Sequence, residues 1–265
     1  MILFPPAKIN LGLNVLHKRE DGYHEIESCM YQIPLFDSLE ILKNDTFKFV
    51  QTGLTVDSEQ EDNLVVKAFR LMQERFSIGN VYMHLLKSIP MGAGLGGGSA
   101  DATYVILELN SLFELNLSND EMRKLAGELG SDCPLFVEHS VQIAKGRGEI
   151  LKPIDFSLKG KYLKIVNPGI HIGTKEAYAN IEFAHAKPVA NVLQQPIETW
   201  KLDLTNSFES TAFRNHVEIE PIKNKLYKEG AEYASMTGSG STLFGIYSNE
   251  PQYSFPRYYE KVLKI

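Results

Sequence analysis

Ile9, Leu11, Leu13 and Val15 alternate with Lys8, Asn10, Gly12 and Asn14. This period of two predicts a half-buried strand that carries Lys8 and Asn10 together on its more polar face. Asp21-Gly22 is a turn signal, and short β-like runs follow at 33–35, 39–42 and 47–50. From Asp62 the spacing turns helical: Leu64, Ala68, Leu71 and Met72 share a face, with Asp62 or Asn63 available as the cap. Residues 81–86 predict a strand that enters a glycine-rich segment, and 102–112 are apolar enough for a buried helix. Ser118-Asn119-Asp120-Glu121 fits a capping box, opening a helix that Gly130 ends. Residues 141–145 and 163–167 predict strands, and Thr174 is placed to cap a short helix through Ala177 and Tyr178. The stretch 186–222 reads as helices interrupted by Pro196 and Pro221. Residues 233–236 and 243–247 read as strands, and 253–263 as a final helix.

That succession predicts a mixed α/β (α+β) protein. A weak boundary near 153–160, where Lys and Gly displace the apolar pattern, divides it into lobes 1–155 and 156–265. A chain of 265 residues with 43% apolar and 23% charged side chains has ordinary globular composition, which excludes a disordered or fibrous chain. The formal net charge is −6, so there is no basic footprint for nucleic acid, although a few local cations can still hold a small anionic substrate. Cys29 and Cys133 stand far apart, without zinc or disulfide spacing. The opening residues lack the pattern of a signal peptide, and Gly and Pro break every apolar stretch before it could span a bilayer. The expectation is a soluble cytoplasmic protein with no membrane or nucleic-acid partner. His17, His84, His139, His171, His185 and His216 show no ligand spacing, and Trp200 reads as packing.

Chemistry concentrates in four segments. In Pro90-Met91-Gly92-Ala93-Gly94-Leu95-Gly96-Gly97-Gly98-Ser99-Ala100, five glycines fall within seven residues. Such a run permits positive φ and close backbone approach. Placed before a helix, its N–H groups can cradle an anion, and Ser99 can add a hydroxyl. It matches neither a Walker A loop nor a dinucleotide fingerprint. Gly130-Ser131-Asp132-Cys133-Pro134 places Asp132 either as a helix cap or as a general base kept ionised by a nearby cation. Lys8-Ile9-Asn10 sets a lysine on a strand beside an amide. Thr237-Gly238-Ser239-Gly240-Ser241 is either a plain turn or a second phosphate-facing loop.

Together with Pro6-Ala7-Lys8-Ile9-Asn10-Leu11 and Asp21-Gly22-Tyr23-His24, these segments resemble the GHMP kinases. The resemblance runs from residue 5 to about 247, and Asp-Gly-Tyr-His narrows it to a member with a cytidine substrate. It implies a two-lobed fold, with an N-terminal lobe like ribosomal protein S5 domain 2 and a ferredoxin-like C-terminal lobe. It further implies ATP phosphates on residues 90–100, Mg²⁺ bridging phosphate oxygens with no protein ligand assigned, Asp132 as base and Lys8 as its partner. Asn10 matches a substrate contact, Tyr23 and His24 match groups that stack on and hydrogen-bond cytosine, and Tyr178, after Thr174, closes the stack. Gly238, Ser239 and Gly240 fall on the substrate side, and Asn63 and Lys87 near the nucleoside of ATP. Thr103-Tyr104 departs from the family's small residues, which leaves details of the nucleotide pocket open. Two other readings stay open: a GHMP kinase with another small acceptor, and a non-catalytic nucleotide- or sugar-binding regulator on the same fold.

Overall fold

The computed structural model describes residues 1–54, 60–179, 181–184 and 187–265, so His185 and the first residue of the 186–222 stretch lie outside the described residues. In chain order the first elements are β1 (Ile2–Leu3), β2 (Pro6–Lys18), β3 (His24–Phe36), β4 (Ser38–Lys43), β5 (Lys48–Gly53), α1 (Leu64–Phe76), β6 (Val81–Lys87), α2 (Gly97–Leu112) and α3 (Asn119–Leu129). There follow β7 (Gln142–Lys145), β8 (Ile150–Pro153), β9 (Tyr162–Asn167), α4 (Thr174–Ala177), α5 (Val189–Val192), α6 (Trp200–Asp203), α7 (Glu209–Asn215) and α8 (Ile219–Lys228). The chain closes with β10 (Tyr233–Met236), β11 (Leu243–Tyr247) and β12 (Tyr259–Lys264). These segments group into two interleaved compact units: Met1–Ala7, Leu35–Met91 and Gly96–His139 form the first, and Lys8–Pro34, Gly92–Leu95 and Ser140–Ile265 the second.

In the first unit the sheet order is β1-β4-β6-β5, with β4 antiparallel and β5 parallel to β6. Alternation along β6 buries Val81, Met83 and Leu85. Helix α1 starts where Asn63 Oδ1 accepts from Val65 N at 3.0 Å, and it buries Val65, Val66, Phe69 and Met72. The Ser118–Glu121 capping box forms at the start of α3, and Gly130 follows its last turn as its C-cap. Helix α2 begins at Gly97, five residues ahead of the apolar stretch that signals it, because the glycines themselves supply its first turn.

The second unit holds a sheet of order β10-β11-β9-β12, and most of the sheet β2-β3-β7-β8. Leu13, Val15, Ile26, Val166, Phe208, Ile219, Ile222, Leu226, Met236 and Leu243 belong to one core cluster here. Strand β2 is buried on both faces as far as Val15, rather than half-buried. Two further expectations are corrected. Pro221 does not interrupt a helix: it lies in the first turn of α8, where the missing N–H has no intrahelical acceptor to lose. The C-terminal segment is not a helix. Pro256 breaks it, and Tyr259–Lys264 pairs antiparallel with β9, where Glu260 meets the buried Lys164 ammonium at 2.9 Å. Among the described residues, no helix is long and apolar enough to cross a membrane.

Candidate active site

Strand geometry puts Lys8 and Asn10 two residues apart on one face of β2, and both are buried, at 3% and 2% exposure. The Lys8 ammonium donates to Asn10 Oδ1 at 2.7 Å, and Gly238 N donates to the same oxygen at 3.0 Å. Asn10 Nδ2 donates to Ser28 Oγ at 2.8 Å, and Asn10 N donates to Thr237 Oγ1 at 3.1 Å. The Thr237 hydroxyl lies 3.2 Å from Asn10 Oδ1 and 3.1 Å from Gly94 O, the two acceptors open to its single proton. Lys8 N also donates to Leu95 O at 2.8 Å, tying the 92–95 segment to the strand. The two glycine segments, read separately in the sequence, therefore meet backbone to backbone. A Cβ on Gly94 (φ +75) would stand 2.1 Å from Thr237 O, and one on Gly238 (φ +58) would stand 2.9 Å from Gly94 Cα. Only glycine can take such backbone without collision. Ser239 lies between Gly238 and Gly240, whose φ of +99 is again positive.

In the first unit Gly96, at φ +70, is the N-cap of α2. The first bond of the helix is Ala100 N to Gly96 O at 2.9 Å, so the N–H groups of Gly97, Gly98 and Ser99 have no acceptor within the helix. These are the donors, at the positive end of the helix dipole, that an anionic group would use. Asp132 immediately precedes the short 3₁₀ turn Cys133–Val137, and its side chain makes no capping bond to that turn. The Thr103 hydroxyl lies 2.8 Å from the carbonyls of both Ser99 and Cys133, fastening the Asp132 segment to the first turns of α2. Burial pushes the Cys133 thiol up to about 11, so it offers no thiolate nucleophile beside the carboxylate.

The second unit also gathers a set of rings. The Asp21-Gly22 turn closes through Arg19 N to Tyr23 O at 2.8 Å and Tyr23 N to Asp21 Oδ1 at 3.1 Å. It leaves the Tyr23 ring 56% exposed, with the Arg147 guanidinium 4.7 Å from its centroid. His24 stacks on Tyr178 at 4.5 Å and 19°, with Phe183 tilted beside it at 6.2 Å, and Tyr178 stands edge-on to Phe208 at 4.9 Å. Burial, with the charge of Lys18, holds the His24 imidazole below the usual histidine range, so near neutrality it offers one donor and one acceptor nitrogen. Thr174 opens α4, the helix that leads to Tyr178.

The GHMP kinases N terminal domain matches residues 63–139, and the GHMP kinases C terminal region matches residues 189–261. Over 248 residues the chain is 46% identical to the 4-diphosphocytidyl-2-C-methyl-D-erythritol kinase of Parabacteroides distasonis, covering 93% of this chain and 92% of that one. With the same-named enzyme of Cytophaga hutchinsonii it shares 44% over 254 residues, or 95% and 94% of the two chains. The chain belongs to the GHMP kinases. A crystal structure of 4-(cytidine 5'-diphospho)-2C-methyl-D-erythritol kinase shares the fold, with a TM-score of 0.81 at 32% identity over 93% of this chain and 90% of that one.

A GHMP kinase takes its phosphoryl group from ATP, and the 63–139 match contains the glycine segment, α2 and Asp132. Lys87 and Asn63 hold their side chains in place within this GHMP kinase. Asn63 caps α1 and donates to Gln51 Oε1 at 3.0 Å. The Lys87 ammonium is buried between Asp37 and Asp101, 2.8 Å from the latter, and lies 3.3 Å from where a Gly97 Cβ would be. Asp37 also accepts from Ile89 N at 2.9 Å, so the cluster struts the floor beneath the first turn of α2. Asp37, Asp101, Ser28 and Arg147 carry no site signal in the sequence, and Thr103 shows there only as a departure from the family's small residues. For Arg147 the one signal was its place between Gly146 and Gly148, both at positive φ.

The cluster has a pH signature. Burial, with help from Asp37 and against the pull of Lys87, pushes the Asp101 carboxyl up to about 7. An unfolded Asp titrates near pH 4, so between about 4 and about 7 the folded chain holds a proton that the unfolded chain has lost. This group's contribution is fully present below that window and is lost as pH rises through 7. Asp101→Asn is expected to remove this component, so melting temperatures measured across pH 5 to 8 should vary less in the variant than in the parent. An unaltered pH profile would refute the assignment.

Proposed function

We propose that this GHMP kinase transfers the γ-phosphoryl group of ATP to the 2-hydroxyl of 4-(cytidine 5'-diphospho)-2-C-methyl-D-erythritol, a step in non-mevalonate isoprenoid precursor synthesis carried out in the cytoplasm. The observation that carries the substrate reading is the ring cluster: an exposed tyrosine backed by a guanidinium, beside a neutral imidazole and a second tyrosine. A small aliphatic acceptor needs none of these, whereas a nucleobase uses them all.

In this reading the free amides of Gly97, Gly98 and Ser99, with the backbone of residues 90–96, bind the triphosphate, and Asn63 and Lys87 border its nucleoside. The unpaired first-turn amides of α2 fit an anion. Mg²⁺ would supply charge neutralisation across the phosphates. Asp132 accepts the proton of the acceptor hydroxyl as its oxygen bonds to the γ-phosphorus. The bond from that phosphorus to the β–γ bridging oxygen breaks, and ADP leaves with the electron pair. Lys8 steadies charge on the moving group. Asn10, Thr174 and the Gly238-Ser239-Gly240 turn position the acceptor.

Tyr23 and Tyr178 sandwich the cytosine, and His24 reads its edge. The 4.5 Å between His24 and Tyr178 is an ordinary ring-to-ring contact with no space for a base, so the His24 ring must leave the Tyr178 face as cytosine enters. Tyr23→Ala or Tyr178→Ala is expected to weaken the cytidine substrate by roughly ten- to a hundred-fold, with ATP affinity nearly unchanged and Phe largely restoring binding. His24→Ala should erode preference for cytidine over uridine. Titrations of each variant with the cytidine substrate and an ATP analogue decide this; lost ATP binding with intact cytidine binding would put the rings in the other pocket. The activity itself is tested by steady-state assays with ATP and a panel of acceptors: the cytidine substrate, homoserine, mevalonate and phosphomevalonate. Turnover confined to the cytidine compound is expected, and faster turnover of another acceptor would overturn the reading.

A further inference from the structure

We infer that Ser28 is a positioning residue for phosphoryl transfer, acting through the Asn10 amide on the Lys8 ammonium, an inference that rests on the reading of Lys8 as catalytic. Ser28 lies on β3 and is fully buried. A serine hydroxyl has a single proton, and here it is donated to Gly12 O at 2.6 Å. Gly12 is left-handed in mid-strand, at φ +69, and a Cβ there would stand 2.7 Å from Leu204 Cδ1, so the backbone that offers this acceptor is itself confined to glycine.

With its proton committed, Ser28 Oγ can offer Asn10 only a lone pair. The amide must therefore turn its nitrogen toward Ser28, and Nδ2 donates to Oγ at 2.8 Å. That choice sends Oδ1 the other way, where two donors converge on it: Lys8 Nζ at 2.7 Å and Gly238 N at 3.0 Å. The reversed amide would set an NH₂ group against an ammonium and a backbone N–H, and an oxygen against a hydroxyl with no proton to give. Polar satisfaction on both sides thus selects one orientation. Ser28 holds one end of a relay that runs from Gly12 O through Oγ and the Asn10 amide to Lys8.

Removing the Ser28 hydroxyl strands a buried amide N–H, and a buried donor without a partner is costly enough to move the group that carries it. Asn10 recovers a partner by turning or withdrawing, and its oxygen leaves Lys8 as it does so. The ammonium stays in the site but loses the Asn10 oxygen that helps to orient it toward the reacting group. The loss should fall on the chemical step rather than on the affinity for either substrate.

The test is a kinetic comparison of Ser28→Ala, Ser28→Thr and the parent, with the acceptor the parent turns over fastest, far below each melting temperature. Ser28→Ala is expected to lower kcat about ten-fold, with KM for ATP and acceptor within about two-fold, and Ser28→Thr to recover most of kcat because it keeps the hydroxyl. In a Lys8→Ala background Ser28→Ala should cost little more, since both act on one group. If Ser28→Ala does not fold, Ser28→Cys fills the space with a poor hydrogen-bonding group, and the same kcat loss is expected of it. An unchanged kcat, a lowered melting temperature alone, or a rise in KM alone overturns the inference. A Lys8→Ala variant with an unchanged kcat would instead overturn the catalytic reading of Lys8, and the inference with it. A parent that prefers another acceptor overturns only the substrate assignment.

Discussion

Asp132→Asn is expected to lower turnover by more than about 10²-fold while an ATP analogue still binds, the scale of a positioned base. The structure sharpens this expectation in two ways. The carboxylate does not cap the turn it opens, so the amide variant removes no helix-capping bond. Thr103 holds the next carbonyl to α2 through the backbone, so the segment keeps its place when the side chain changes. Lys8→Ala should also damage turnover, and the losses in the double variant should fall well short of additive, because the two groups serve one transfer. Single-turnover kinetics with a folded Asp132→Asn protein is the measurement. Near-normal rates would return Asp132 to a purely structural role, and full additivity would separate the two residues.

Gly94→Ala is expected to raise KM for ATP at least ten-fold and to lower the melting temperature by several degrees. The added methyl faces two penalties. At φ +75 an L-residue costs about 1–2 kcal/mol, and a Cβ at 2.1 Å from Thr237 O forces one backbone away from the other. That displacement also breaks the Gly94 and Thr237 contacts to the Asn10 hub. Gly96→Val should act on ATP too, through strained backbone at the N-cap of α2. Gly230→Ala is the control, since its φ of +95 carries the strain while nothing lies within 4 Å of the new methyl. Equal behaviour of Gly94→Ala and Gly230→Ala in ATP kinetics would show that the close approach of the two glycine segments has no part in nucleotide use.

Local chemistry made much of this protein readable in advance. Asn63 and Ser118 cap their helices because a short polar side chain next to an apolar period can satisfy the first free amides wherever the helix later packs. Strands β10 and β11 match their sequence bounds residue for residue, since the glycine-containing turn between them ends one and starts the other. Five glycines before an apolar helix announce positive φ and close backbone approach, because the backbone freedom they confer is a property of the residues themselves. Where local signals competed with long-range pairing, the sequence misled. The pattern over 253–263 predicts a helix, yet β9 has an edge to fill and Pro256 bars that helix, so Tyr259–Lys264 pairs as a strand.

Burial and partners were decided by tertiary structure alone. Lys8 reads as a half-exposed strand lysine until the fold closes around it, and only the fold brings Asp37 and Asp101 to the Lys87 ammonium. Arg147 reaches Tyr23 only because Gly146 N meets Glu25 at 2.9 Å and brings two distant turns together. Asn10 is the sharpest case: its neighbours Ser28 and Thr237 stand 18 and 227 residues away, so no window of sequence contains them both. Caps, turns and periods arise from forces that act within a few residues and are written in order along the chain. The orientation of one buried amide depends on which donors the fold delivers to its two ends, and that is settled only when distant segments exclude water together.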